Sequence, residues 1–111
     1  FNNYLCATVH VVHAHRGRGA RWADDPAAIE AMQRKVPQHG LECFQLIESM
    51  MFKGTWVMGE TYILCDAYFY TVARWLDRDK VDTSKLPKTM AHMQAMEARP
   101  AVKKVLNNHF D

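Results

Sequence analysis

The stretch Gly59-Glu60-Thr61-Tyr62-Ile63-Leu64-Cys65-Asp66-Ala67-Tyr68 leads from a glycine-bounded connection into the most apolar part of the chain. From Tyr62 to Leu76 the residues are apolar almost all the way round, which predicts a helix buried on every side. Its few strongly polar members are Asp66 near the start and Arg74 near the end, and both oppose the helix macrodipole. A lone carboxylate in an apolar run is a candidate for chemistry. A helix N-terminus satisfies it without any, so Asp66 is read as a structural cap.

Upstream, Asp25 before Pro26 is an N-cap and first-turn pair. Ile29, Met32, Val36, Cys43, Phe44, Ile47 and Met51 then keep a 3-and-4 rhythm to Phe52. Pro37 interrupts the run, yet the stripe holds its register on both sides, which predicts one long, kinked helix. Gly40 falls on that stripe, where a missing side chain lets another helix come close. The first segment, Phe1 to about Arg16, carries Phe1, Leu5, Thr8, Val9 and Val12 at helical spacing. It stops at Arg16-Gly17-Arg18-Gly19, glycines to end the helix and basic groups for its C-terminal dipole. Downstream, Arg78 to Ser84 reads as polar loop. A helix follows from about Lys88 to Arg99 with Met90, Met93 and Met96 or Glu97 repeating. Pro100 opens a last short helix through Val102, Val105 and Leu106. Nothing alternates with period two. The fold class is all-α, a bundle of about five helices.

The chain has 111 residues, 49% apolar and 23% charged, the balance of one globular domain. A fold of this size buries roughly two thirds of its unfolded surface, enough for a real core. Its 14 Lys and Arg against 12 Asp and Glu leave a net charge of +2, too small to mark a nucleic-acid binder. No apolar run reaches the ~18 residues of a membrane span, and no secretory start is visible. Three widely spaced cysteines, Cys6, Cys43 and Cys65, do not make a disulfide framework and suit a reducing compartment. All three are expected to pack in the core. Phe1-Asn2-Asn3 stands where an initiator Met is expected, which predicts a piece of something longer.

The Gly59–Tyr68 stretch resembles the core signature of the glutathione transferase C-terminal domain, Gly-acidic-x-aromatic-Ser/Thr-x-Ala-Asp. The physics of that signature is a capping box, a hydroxyl at the cap and an Asp three residues later bonding back to its amide. Asp66 keeps the second half, but Ile63 stands where the hydroxyl belongs. A lost cap costs about 1 kcal/mol. Trp56-Val57-Met58-Gly59 is similar to the family's lead-in. Thr71-Val72-Ala73-Arg74-Trp75, Arg99-Pro100-Ala101-Val102 and Asn3-Tyr4-Leu5-Cys6-Ala7-Thr8-Val9-His10 resemble the bacterial beta-class members. The resemblance covers essentially the whole of 1–111, in order.

That resemblance implies the helical half of a two-domain enzyme. In the family, an N-terminal thioredoxin-like domain binds glutathione and activates its thiol, and nothing in this sequence resembles it. The helical half walls the pocket for the hydrophobic electrophile and helps build a dimer. His10 falls where beta-class relatives carry a histidine facing the cleft, and a basic neighbour frequent in the family is replaced by Val11. On a helical wheel His10 points away from Leu5, Val9 and Val12, with Asn3, Ala7 and Ala14 around it. A solvent-facing histidine of no consequence fits the same wheel. Trp75 matches the beta-class tryptophan near the cleft, and with Tyr68, Thr71 and Val72 forms one stripe. Such a stripe suits the core as well as a ligand wall. Trp75, Tyr68 and His10 are the substrate-binding candidates, with His10 the one group that suits an assisting catalytic role.

His10, His13 and His15 invite a metal, but no HExxH, CxxC or companion carboxylate completes a set. No metal is expected. Arg16, Arg18, Arg21 and Trp22 form a basic-aromatic cluster that reads as solvated loop. The expected function is therefore the electrophile-binding half of a cytoplasmic, homodimeric glutathione transferase, with glutathione as co-substrate, acting on neither nucleic acid nor membrane. The alternative is a non-catalytic, transferase-like association module. A glutathione-dependent reductase, isomerase or dehalogenase would use the same scaffold.

Overall fold

The computed structural model describes residues 1–109, and across them five helices form the all-α bundle that the sequence predicts. α1 is continuous but mixed, α-helical over Asn2–Tyr4, π-helical over Leu5–Val9 and α-helical again over His10–Gly17. α2 is Pro26–Met50, α3 Leu64–Ala73, α4 Pro87–Glu97 and α5 Pro100–His109. Short 3-10 turns, Gly19–Arg21 and Thr83–Lys85, lead into α2 and α4. No strand occurs among the described residues, only an isolated bridge between Trp56 and Gly59.

α2 starts where its sequence says. The Asp25 carboxylate accepts from the Ala27 N–H at 3.1 Å, and Pro26 takes the first helical position. The helix passes through Pro37 and buries Val36, Gly40, Cys43, Phe44 and Ile47. Gly40 does receive a close neighbour, but not a helix. A Cβ there would stand 2.9 Å from Cγ2 of Val81, which lies in the turn after α3.

α3 is the centre of the core. Phe69 is fully buried, with the rings of Phe1, Phe44, Phe52 and His92 within 5.0–5.8 Å of it. The helix is shorter than its apolar run. Ile63 is extended and caps with no side-chain acceptor, and after Ala73 the chain tightens into i to i−3 bonds, Trp75 to Val72 and Leu76 to Ala73. It then closes in a Schellman pair. The Lys80 N–H donates to Asp77 and the Val81 N–H to Leu76, each at 3.0 Å, with Lys80 left-handed at φ +59°. The buried pair Leu76 and Val81 completes that motif's apolar contact. What reads as polar loop from Arg78 to Ser84 thus buries both Asp79 and Val81.

Three further expectations change. α4 buries two polar residues beside its methionine stripe. Thr89, His92 and Met96 are buried, and Met90 and Met93 are half-buried against the core; Nε2 of His92 reaches Asp66 and the Thr89 N–H reaches Glu48. Ala14 is buried, not on the open side with His10, since α2 packs along that half of α1. Cys6 is exposed, and only Cys43 and Cys65 pack inside, where burial raises their thiol pKa values.

Ile63 is 41% exposed, so little packing is lost if it becomes a hydroxyl residue. Ile63→Ser should complete the capping box and raise the urea unfolding free energy by about 1 kcal/mol. Lys80→Gly should add a similar amount, about 1 kcal/mol, by relieving the left-handed backbone.

Candidate substrate site

Asp66 is the polar hub beneath the site. Its Oδ2 accepts the Ile63 N–H at 2.9 Å, the back-bond of the capping box. Its Oδ1 accepts the Val57 N–H at 2.8 Å and bonds Nε2 of His92 at 3.0 Å. Asp66 and His92 are 0% and 1% exposed. A carboxylate only accepts, so Nε2 carries the proton. Burial pushes the His92 pKa below its ordinary value, and the Asp66 bond offsets part of that. Nδ1 has no partner, so a second proton would strand a buried donor. α4 is tied down in the same way at its start. Glu48, buried on α2, accepts the Thr89 N–H at 2.6 Å, and Lys88 donates to the Glu48 carbonyl at 3.1 Å.

Above this layer Trp75 gathers the candidates. The His13 imidazole stacks on it at 4.1 Å and 18°, and His10 meets it at 5.2 Å and 55°. His13 in turn donates from Nδ1 to Asp79, 2.7 and 2.9 Å from the two carboxylate oxygens. His15 points elsewhere, edge-on to Trp22 at 4.5 Å. Among the described residues no three His, Cys, Asp or Glu side chains converge as for a metal.

Trp75 also lines an open cleft of about 610 Å³ between the C-terminal half of α3, the turn after it, and α5. Ala67, Met96, Val102, Val105 and Leu106 make its walls apolar, and Thr71, Arg74 and Arg78 supply polar atoms. Tyr70 reaches it as well, its hydroxyl donating to Glu97 at 2.9 Å. Burial, then that bond, pushes the Tyr70 pKa up to about 12, which keeps the phenol neutral. The cleft can hold an apolar molecule with a polar edge.

The structure brings His10 and Trp75 together and leaves Tyr68 apart. Tyr68 packs against the core cluster, and Val72 is buried in it, so the expected stripe splits between core and cleft. Sequence reading missed His92, Glu48, Asp79 and the role of His13. Only His13 carried a signal, being three residues from His10 on the same face. Arg16, Arg18, Arg21 and Trp22 are all exposed.

The profile of the glutathione S-transferase C-terminal domain matches residues 19–100. The chain belongs to that family. A solved glutathione transferase homolog from Sulfitobacter, with bound glutathione, superposes on this transferase domain with a TM-score of 0.89 at 42% identity. The match covers 94% of this chain and 56% of the homolog. Glutathione S-transferase GstA of Escherichia coli O157:H7 is 36% identical over 52 residues, 47% of this chain and 26% of GstA. The transferase domain therefore spans little more than half of the solved relative.

Two outcomes follow from the buried layer. Asp66→Ala strands three donors and should cost at least about 3 kcal/mol in urea unfolding. Because His92 is held neutral when folded, the unfolded chain binds the extra proton once pH falls below its ordinary value of 6.5. Stability should be full above that pH and decline below it. Thermal melts at pH 7.5 and 5.5 should show the loss, reduced in His92→Gln.

Proposed function

We propose that this chain is the electrophile-binding half of a two-domain, cytoplasmic, homodimeric glutathione transferase. The observation that carries the reading is the close match to a homolog whose structure holds glutathione, joined to an apolar cleft walled by Trp75. In this reading a thioredoxin-like domain binds glutathione and lowers the thiol's pKa. The helical half binds the apolar electrophile, with His10 and Trp75 positioning it for attack. Tyr70 is neutral and hydrogen-bonded and Cys43 and Cys65 have raised pKa values, so none of these three side chains suits thiol activation. Neither nucleic acid nor a membrane enters the reaction, and no helix among the described residues is long and apolar enough to cross a membrane.

Conjugation of glutathione to 1-chloro-2,4-dinitrobenzene tests the division of labour. The 111-residue chain alone should read background, and the two-domain protein should turn over. Turnover by the chain alone would overturn the split. An inactive two-domain protein would favour the association-module reading instead.

A further inference from the structure

Among the described residues the domain contains two Asp–His pairs, and they differ in one respect. Asp66 and His92 are sealed from solvent, and the second ring nitrogen of His92 is buried with no partner. Asp79 and His13 lie at a partly open edge, their side chains 9% and 15% exposed. There Nδ1 of His13 is taken by the carboxylate. Nε2 has no protein partner among the described residues and is not among the unpaired atoms sealed from water. The first pair has the geometry of a structural clamp. The second has that of a proton-transfer group, one nitrogen fixed by a carboxylate and the other open.

The surroundings hold the second pair in place. Trp75 backs the imidazole face to face, which restricts ring rotation. The Asp79 N–H donates to the Trp75 carbonyl at 2.9 Å, so one turn sets both the indole and the carboxylate. That turn is the one closed by the left-handed Lys80, a backbone cost accepted next to the pair. The titratable groups around it come from α1 and from the turn after α3. His10 on α1 shares the indole. Arg16 at the end of α1 and Lys80 line a second, smaller cleft with Asp79, where α2 contributes only Gln33, Val36 and Pro37.

We propose that His13 is a catalytic acid, with Asp79 as its positioning residue, for electrophiles whose reaction with a thiolate leaves negative charge on oxygen. The proposal rests on the transferase reading above. With an epoxide, the sulfur–carbon bond forms as the carbon–oxygen bond breaks. The released electron pair goes to oxygen, and that oxygen takes the proton from Nε2 of the His13 imidazolium. The imidazole regains a proton equivalent to the one the thiol lost on ionising, so thiol plus epoxide gives hydroxy thioether with no other reactant. The electrophile lies along the edge of Trp75, the residue shared by His13 and the cleft. With an aryl chloride, chloride leaves as a stable anion and needs no acid.

The test compares styrene oxide with 1-chloro-2,4-dinitrobenzene in the two-domain protein. His13→Gln should lower kcat for the epoxide on the order of 100-fold, and about tenfold or more beyond any loss with the aryl chloride. Asp79→Asn should lower the epoxide kcat in the same selective sense. Circular dichroism melts that match the parent protein's show that the variants fold. Equal losses on both substrates, an unchanged epoxide rate or an epoxide that the parent does not turn over would overturn the role of His13. A parent protein that conjugates neither substrate overturns the transferase reading itself, and the acid role with it.

Discussion

One carboxylate holds together three parts of the chain at a single buried point. Asp66 takes an N–H from the cap of its own helix, a second from Val57 in the preceding connection and a third from His92 on α4. Each bond is directional and each donor is buried or half-buried, so moving any of the three elements leaves a polar group unpaired. Apolar burial sets how much the core gains but tolerates sliding, whereas this hub does not. The position of α3 against α4 depends on it. So does the floor beneath the cleft, which α3 and Met96 of α4 both line.

A second constraint acts at the far end of α3. The helix gives way after Ala73 to a tight turn, and that turn closes through the left-handed Lys80 and the packing of Val81 over Gly40. Its local strain is compensated by two backbone hydrogen bonds and an apolar contact. The result is functional placement. Trp75 and Asp79, four residues apart, face the imidazoles of α1 from one short segment. The α1 helix meets them just past its π-helical stretch.

Much of the fold was legible because helices are local. Capping at Asp25 and Pro26, the stripe of α2 and the all-round apolarity around Phe69 each show in a window of a few residues. The misreadings share one cause. Asp79, Val81, Thr89 and His92 look like surface in a hydropathy pattern, yet each is buried. Val81 completes a turn motif and fills the gap over Gly40, and the polar three are buried beside partners 40 or more residues away or, for His92, 26 residues away. Periodicity reports which face is apolar. It carries no information about which polar group has a distant partner.

The candidate site divides along the same line. His10 and Trp75 were singled out by family resemblance, and they do meet. His13 and Asp79 lie 66 residues apart, with no motif to link them. From sequence alone came the helical class, the family, the buried central helix and Asp66 as its cap, because those rest on short-range backbone hydrogen bonding and on patterns a few residues long. Only the tertiary structure decided which carboxylate meets which imidazole, and which pair is sealed and which stays open. Those outcomes depend on the packing of helices brought together from distant parts of the chain, which seals one Asp–His pair and leaves the other at a partly open edge.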